Sequence, residues 1–266
     1  MLSAFQNIII IMRKKLISSV AAVLFMHSIV GFAKVHSHKA NHSAKADKKQ
    51  KEENEGEAAS GGFAKSSNAL YEKLRLGELG LSRAAYDLAM IGYQNMLSTG
   101  KLSNEHFLSI IDFSLASAKK RLFILDFANE KLIFNTYVAH GRNSGREMAR
   151  EFSNEPESYK SSLGFFITGD AYMGKHGFSL RLLGEEKGIN DKADSRAIVM
   201  HSAPYVTEDA IKIQGFIGRS LGCPALPEAL TKPIIETIKN GSCLFLYSPD
   251  KSYLANSTFI NKAMKA

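Results

Sequence analysis

Short apolar runs rich in β-branched and aromatic residues alternate with polar, glycine-containing segments between residues 105 and 250. Runs of this length and composition, bounded by turn-forming residues, predict β-strands. The segments 141–162, 170–177 and 184–195 are expected to be loops, and Asn129-Glu130 a hairpin turn. The predicted strands are 106–113, 121–127, 131–140, 164–168, 178–183, 196–201 and 242–248.

Apolar residues recur at helical spacing on either side of these runs. Residues 69–104 carry two such patterns, and Ser82 is placed to cap the second. Residues 209–213 predict a short helix, and residues 227–240 predict an amphipathic helix that ends at Gly241. The pattern as a whole favours a mainly β domain with flanking helices, in the α+β class.

The first 33 residues have the order of a secretory signal. Arg13, Lys14 and Lys15 precede the apolar stretch 16–32, and small residues occupy the two positions that a signal peptidase reads before residue 34. A single membrane anchor is the alternative. The apolar stretch is short for a membrane span and is interrupted by serines and a histidine, so we favour export with cleavage, to the periplasm or the cell wall.

Residues 34–68 consist mostly of Lys, Glu, Ala, Ser, Gly and His. Such a composition buries too little apolar surface to offset chain entropy, so it predicts a flexible linker. The sequence is thus divided into a signal peptide (1–33), a linker (34–68), a helical support segment (69–104), a main β domain (105–250) and a tail (251–266).

The composition is that of an ordinary globular protein, with 45% hydrophobic and 23% charged residues. The formal charge is +8, and residues 1–33 supply three of the cations and no acid. The remaining excess suits an anionic surface such as a cell wall. It is scattered and lacks interleaved stacking aromatics, so we expect no nucleic-acid partner.

The candidate chemistry lies in the stretch around Cys223. Glycine precedes this cysteine, which allows a tight turn, and His201 ends a predicted strand 22 residues earlier. A cysteine and a histidine in separate segments of an exported protein suggest a thiolate nucleophile with an imidazole base. The neighbouring Arg219 would lower the pKa of the thiol or hold a substrate carboxylate.

Other interpretations of these residues stay open at this point. Cys223 is also compatible with a buried apolar role, and a disulfide with Cys243 would abolish the nucleophile, although Cys243 reads as a buried strand residue. His140 and His176 compete with His201 for the base, but we favour His201 because a strand presets its geometry. A zinc site built from these three histidines and Asp170 is an alternative without a metal-binding motif to support it.

Several stretches together closely resemble the murein L,D-transpeptidase catalytic domain family, also called YkuD-like. The resemblance covers residues 105–250 and is carried above all by Met200-His201-Ser202-Ala203 and by Gly218-Arg219-Ser220-Leu221-Gly222-Cys223-Pro224-Ala225-Leu226. Further matching stretches are 112–114, 139–145, 152–154, 161–164, 172–177, 180–182, 190–191 and 196–199. The resemblance implies a β-sandwich-like or barrel-like domain whose cysteine acts on peptidoglycan stem peptides.

The resemblance also implies roles for individual residues. Cys223 would be the nucleophile and His201 the base, with the backbone carbonyl of Ser202 orienting the imidazole. The amides of Gly222 and Cys223 would form the oxyanion hole, and Ser220 would order the loop.

Substrate contacts follow less directly, because the sequence departs from the commoner family pattern. Leu221 stands where a second histidine often sits, and Pro-Ala-Leu at 224–226 replaces the polar or basic residue of many members. We therefore assign carboxylate binding to Arg219, with Arg181 as a second candidate. Further candidates to line the cleft are Tyr172, Lys175, His176 and Gly177.

The expected activity is that of an exported cysteine acyltransferase. It would hold the acyl group of one stem peptide as a thioester and pass it to an amine of a second stem. Water as acceptor would make the same apparatus a carboxypeptidase or endopeptidase, and a non-catalytic wall-binding module of the same fold is a further alternative. Acyl transfer requires no metal or nucleotide, so we expect no cofactor, and we expect no membrane insertion after signal cleavage.

Overall fold

The computed structural model describes residues 65–261. The expected signal peptide and almost all of the expected linker therefore lie outside the described residues. The chain divides into two compact units, 1–70 and 71–266, and the described part of the first unit, 65–70, is helical. No helix among the described residues is long and apolar enough to cross a membrane.

The N-terminal support segment contains two helices, as the apolar spacing predicts. Helix α1 is described from residue 65 to residue 73, and α2 spans Arg83–Ser98. Ser82 caps α2, since its side chain accepts a hydrogen bond of 3.2 Å from the Ala85 amide. This bond satisfies one of the free N–H groups at the start of the helix.

Eight strands form one mixed sheet, in the order β3-β2-β1-β8-β4-β5-β6-β7. Strands β1 and β8 are parallel, as are β6 and β7, and the other neighbours are antiparallel. The strands are β1 Phe107–Asp112, β2 Leu122–Asp126, β3 Lys131–Thr136, β4 Gly164–Gly174, β5 Gly177–Gly184, β6 Val199–Ser202, β7 Ala225–Leu226 and β8 Cys243–Tyr247. The mainly β architecture with flanking helices is therefore confirmed.

Up to residue 261, where the described residues end, four further helices follow: α3 Glu208–Gln214, α4 Glu228–Ile238, α5 Lys251–Asn256 and α6 Thr258–Asn261. Helices α3 and α4 confirm the two helical predictions of this region. Helices α5 and α6 lie in the segment that the sequence assigned to a tail. Tyr253 and Phe259 of these helices are buried against Phe245 and Phe165, so residues 251–261 contribute to the core.

The strand predictions failed at the hairpin between β4 and β5. Residues 170–177 were expected to form a loop, but β4 continues to Gly174 and β5 begins at Gly177. Side chains in this arm are largely exposed, with Met173 at 77%. An exposed hairpin has no buried face, so the apolar alternation that reveals a strand is absent. The two-residue strand β7 was not predicted either.

The core lies where α2 crosses the central strands. The rings of Phe165 in β4 and Phe245 in β8 stack with centroids 4.2 Å apart. Gly92 of α2 faces the ring of Phe165 so closely that a Cβ atom there would lie 1.9 Å from it. Burying each such aromatic side chain stabilises the fold by roughly 1.5–3 kcal/mol.

A buried carboxylate fastens the C-terminal helices to the sheet. Glu186 is 1% exposed and accepts hydrogen bonds from the Phe165 amide (2.9 Å), the Tyr253 hydroxyl (3.2 Å) and the Ser257 hydroxyl (2.5 Å). Burial raises the pKa of Glu186, and the hydrogen bonds from Ser257, Phe165 and Tyr253 oppose that shift. Such a group is retained in a core only because its oxygens are fully hydrogen-bonded.

Candidate active site

Cys223 lies in a loop that only glycine permits at the preceding position. Gly222 has φ +127°, and a Cβ atom there would lie 2.9 Å from the carbonyl oxygen of Lys160. The hydroxyl of Ser220 spans the turn, since it accepts from the Gly222 amide (3.0 Å) and donates to the Cys223 carbonyl (2.6 Å). The loop is thus closed by its own serine, three positions before the cysteine.

Short strand pairings hold this loop against the sheet. On one side, the Ser220 amide donates to the carbonyl of His140 (3.0 Å) and the Ala139 amide donates to the carbonyl of Ala225 (2.8 Å). On the other side, β6 and β7 pair in parallel with His201 opposite Ala225. The pairing therefore brings His201 beside the segment that directly follows Cys223, although the two are 22 residues apart in sequence.

The imidazole of His201 is oriented by the backbone of the next residue. Its Nδ1 lies 2.7 Å from the carbonyl oxygen of Ser202. A carbonyl only accepts hydrogen bonds, so Nδ1 carries the proton in the neutral ring and Nε2 is left as the basic nitrogen. Burial lowers the pKa of His201, the bond to Ser202 opposes that shift, and the nearby His176 lowers the pKa further.

His176, at the tip of the β4–β5 hairpin, lies against the base. Its ring stacks on that of His201 with centroids 4.6 Å apart and planes inclined by 27°. The Ser202 hydroxyl donates to the His176 carbonyl at 3.1 Å, which fastens the hairpin tip to β6. His176 is therefore a neighbour of the His201 imidazole, and the tip of the hairpin covers that imidazole.

The thiol of Cys223 is cradled by the backbone of residues 197–199. The Val199 amide donates to Sγ at 3.5 Å, and the thiol donates to the Ala197 carbonyl at 3.8 Å. Ala197 adopts a left-handed conformation (φ +53°), which breaks the strand predicted for 196–201 and leaves β6 to begin at Val199. In the described part of the chain, no hydrogen bond joins His201 to Cys223. Proton transfer therefore requires the thiol to leave the Ala197 carbonyl.

The ionisation of the thiol is governed by burial and by one cation. Burial raises the pKa of Cys223, whereas the Val199 amide, Arg196 and the cysteine's own amide lower it. The cation that acts on the thiol is thus Arg196 and not Arg219, which the sequence had suggested. Burial disfavours the charged form of both groups and so favours a neutral thiol beside a neutral imidazole.

Gly222 does not fulfil its expected role in the oxyanion hole. Its N–H donates to the hydroxyl of Ser220 at 3.0 Å and so is not free for an oxyanion. Serine two residues before an amide readily forms such a local bond, which the sequence pattern contained but did not reveal. Of the two predicted donors, the Cys223 amide is the one left to face a tetrahedral intermediate.

The predicted substrate contacts are spread over two surfaces. Arg219 is exposed, donates to the carbonyl of Arg142 at 3.3 Å and lies over the ring of Phe216 at 5.5 Å. Arg181 pairs with Asp170 at 3.3 Å and lies over the ring of Tyr172 at 4.6 Å. Arg219 therefore lies in the loop of residues 219–223 that carries Cys223, the nucleophile loop. Arg181 and Tyr172 belong to the β4–β5 arm instead.

Burial counts against two of the alternatives, the disulfide through Cys243 and His140 as the base. Cys243 is fully buried in β8 with its Sγ 3.7 Å from Met96 Sδ, and both cysteines are free thiols, so the disulfide is excluded. His140 is buried with Nδ1 2.7 Å from Arg121 Nη2, and burial followed by the Arg121 charge lowers the pKa of His140 to about 3. Among residues 65–261, no group of three His, Cys, Asp or Glu side chains is arranged to hold a metal.

Comparison with known proteins decides the family. The model of a protein family described as "L,D-transpeptidase catalytic domain" matches residues 78–247 of the chain. The chain belongs to this family. No curated protein matches the chain.

Solved structures of L,D-transpeptidases are similar at low identity. One from Mycobacterium smegmatis is 12% identical, with a TM-score of 0.34, and the match covers 54% of this chain and 59% of that one. One from Stackebrandtia nassauensis is 14% identical, with a TM-score of 0.33, covering 65% of this chain and 74% of that one. The helical cell shape determining protein Pgp2 from Campylobacter jejuni is 11% identical, with a TM-score of 0.38, and the match covers 69% of this chain and 64% of that one.

Sequence reasoning missed the residues that form the wall behind the thiol in this L,D-transpeptidase domain. Arg196, Ala197 and Val199 were assigned to an ordinary strand, yet their side chain, carbonyl and amide respectively surround Cys223. The left-handed conformation of Ala197 could not be predicted from the sequence, because alanine is not a residue type that marks such a conformation and it fits the pattern of a strand. Tertiary contacts, among them the β6–β7 pairing, bring this segment close to Cys223.

Proposed function

We propose that this protein is an exported L,D-transpeptidase that cross-links or remodels peptidoglycan stem peptides through a thioester on Cys223. One observation carries the proposal. The parallel pairing of β6 with β7 sets His201, with Nδ1 held at 2.7 Å by the Ser202 carbonyl, next to the loop of the only partly exposed cysteine in the described chain. A nucleophile, an oriented base and the backbone amide of Cys223 are the parts that acyl transfer needs.

The first half-reaction transfers the donor acyl group to sulfur. Nε2 of His201 takes the proton from the Cys223 thiol, and the thiolate adds to the carbonyl carbon of the donor stem's peptide bond. The oxyanion that forms faces the Cys223 amide. Collapse of this intermediate breaks the C–N bond, and the departing amine takes the proton from the His201 imidazolium.

The second half-reaction reverses these roles. His201 accepts a proton from an amine of the acceptor stem, which adds to the thioester carbonyl. Breaking the C–S bond returns the thiolate, which regains its proton from the imidazolium, so no net proton is consumed. With water in place of the amine, the same steps would release a free carboxylate.

Export is part of the proposal. The order of charged, apolar and small residues in 1–33 supports secretion to the compartment that contains the wall, and the remaining basic excess suits an anionic polymer. A processed N-terminus that begins at residue 34 in cell-envelope protein would support this part. Detection of residues 16–32 in mature protein from the envelope would count against it.

Muropeptide profiling by mass tests the activity. Cells that produce the wild-type protein should gain cross-linked stems that are absent with Cys223→Ala, whereas gain of shortened stems would indicate hydrolysis. An unchanged profile with both proteins would refute catalysis on the wall and favour a binding module.

Intact mass after exposure to a carbapenem, an acylating agent for active-site nucleophiles, tests the nucleophile separately. We expect one adduct on the wild type and none on Cys223→Ser. Cys243→Ala is the matched control, because it removes the buried thiol, and it should keep the adduct.

A further inference from the structure

Within the described residues, the guanidinium of Arg196 makes four hydrogen bonds, and none of them is to a charged group. Nη1 donates to the Ser153 carbonyl (2.8 Å) and the Ser162 hydroxyl (2.6 Å). Nη2 donates to the Lys160 carbonyl (2.8 Å) and the Ser158 hydroxyl (3.2 Å). Both terminal nitrogens are therefore held by the segment 153–162, so the plane of the guanidinium is fixed.

The fixed guanidinium lies directly beneath the loop of the nucleophile. A Cβ atom on Gly222, the residue before Cys223, would lie 3.5 Å from Arg196 Nη2. The same Cβ would lie 2.9 Å from the Lys160 carbonyl, to which Nη2 is bonded. Ser161 adds a further link, since its hydroxyl donates to the Gly222 carbonyl at 3.2 Å. Arg196, the segment 153–162 and the nucleophile loop thus pack as one assembly.

This cation has no carboxylate partner in the described part of the chain. The acid whose charge it feels, Glu155, is itself paired with Lys192 at 2.7 Å. Burial lowers the pKa of Arg196, and the charge of Cys223 is the largest opposing influence. A half-buried cation surrounded by neutral acceptors costs free energy that a nearby anion would recover.

We propose that Arg196 is a positioning residue for the acyl-transfer reaction: its guanidinium is the counter-ion of the Cys223 thiolate and holds the nucleophile loop in register with His201. When the proton moves from Sγ to His201 Nε2, the sulfur gains a negative charge next to a cation that is already in place. Because the guanidinium is held by four bonds, no rearrangement is required as the charge appears. The inference rests on the nucleophile of the proposed function but not on the identity of its substrate.

Other ionisable groups lie near the nucleophile and must be kept constant in a test. Tyr205, which follows β6, feels the charge of Cys223, and its pKa is raised mainly by burial. His201 and the stacked His176 lie on β6 and the β4–β5 hairpin. Arg219, in the nucleophile loop itself, lies over Phe216. Arg219 is the arginine of this group, so substituting Arg196 and Arg219 one at a time separates their effects on the thiol.

The test is the pH dependence of Cys223 alkylation by iodoacetamide in the full-length protein, read by peptide mass. Arg196→Gln should move the midpoint upward by about one pH unit, which corresponds to about tenfold slower alkylation at neutral pH. Arg196→Lys retains a charge and should restore most of the rate. The matched control Lys192→Gln removes a cation from the same loop and should leave the midpoint in place.

Two outcomes would overturn the proposal. The first is an unchanged alkylation midpoint in a folded Arg196→Gln protein. The second is a midpoint that rises as much in Arg196→Lys as in Arg196→Gln, which would show that charge is not the cause. If Arg196→Gln does not fold, Arg196→Lys alone decides, since a midpoint that rises there by about one pH unit refutes the counter-ion role. The alkylation uses no wall substrate, so a failed muropeptide assay and a failed counter-ion test are distinguishable.

Discussion

The imidazole of His176 stacks on the imidazole of His201, with ring centroids 4.6 Å apart. The two rings come from different elements, the β4–β5 hairpin and β6, and the bond from the Ser202 hydroxyl to the His176 carbonyl joins them. The neighbouring ring disfavours protonation of His201, and the hairpin tip also shields the base from water. The hairpin therefore influences the chemistry of a residue to which it contributes no hydrogen bond.

His176→Ala should raise the pKa of His201 toward its ordinary value, because it removes a neighbouring imidazole and part of the burial that lowers that pKa. A higher imidazole pKa leaves more of the base protonated at mildly acidic pH, so the acid limb of acylation should move to higher pH. NMR titration of the His201 ring measures the change. The exposed His106 provides the control, and His106→Ala should change nothing; a fall in the His201 pKa would contradict the assignment.

Gly222→Ala should reduce acylation of Cys223 by about ten- to a hundredfold, since displacement of a reacting atom by about 1 Å is enough for such a loss. The added Cβ would lie 2.9 Å from the Lys160 carbonyl oxygen, and the alanine would also have to adopt the positive φ of Gly222. Gly177→Ala is the matched control for stability: it carries a similar backbone strain (φ +79°) but its nearest atom, the Ser202 hydroxyl oxygen, is 3.9 Å away. In thermal unfolding, Gly222→Ala should lower the melting temperature more than Gly177→Ala does. An equal decrease in the two variants would disprove the steric explanation.

The buried His140 should make stability depend on pH. Its pKa is lowered to about 3 by burial and by Arg121, whereas an unfolded histidine titrates near 6.5. Between these values the unfolded chain binds a proton that the folded protein does not, so the free energy of unfolding falls as pH falls, by about 1.4 kcal/mol per pH unit. Above pH 6.5 this contribution is constant.

Denaturant unfolding of the wild type and of His140→Gln over this pH range checks the expectation. The wild type should be more stable than His140→Gln at neutral pH, and this difference in the free energy of unfolding should decrease as pH falls toward 3. The reason is that the variant lacks the titrating ring. Parallel curves would show that the ring is protonated in the folded state.

Gly92→Ala should destabilise the protein by about 1–3 kcal/mol, even though alanine is the better helix former by about 1 kcal/mol. The cause is the Phe165 ring, which a Cβ at this position would meet at 1.9 Å. Phe165→Leu removes the ring, so the added cost of Gly92→Ala should shrink in the double variant. A double-mutant cycle that shows no coupling between the two sites would contradict this contact.

Much of the fold follows from local pattern. Strands β1, β2 and β8 are apolar runs that are buried along their length, and Ser82 marks the start of α2 through the hydrogen bond that its side chain accepts. Gly241 does not close α4 as expected, because that helix ends at Ile238 and an extended Lys239 is its C-cap. The β4–β5 arm escaped prediction because its residues are exposed and carry no alternation. Strand β7 escaped because a run of two residues has no period, and its pairing with β6 depends on a partner far away in sequence.

The residues Cys223, His201 and Ser202 were determined by the sequence as candidates, because their residue types and flanking motif identify the chemistry without coordinates. Tertiary structure alone decided which groups act on them. Arg196 became the cation beside the thiol, and Ser220 took the Gly222 amide away from the oxyanion hole. The physical reason is that electrostatic and hydrogen-bond effects act over a few ångströms, and such distances between separate segments are set by strand pairing rather than by spacing along the chain.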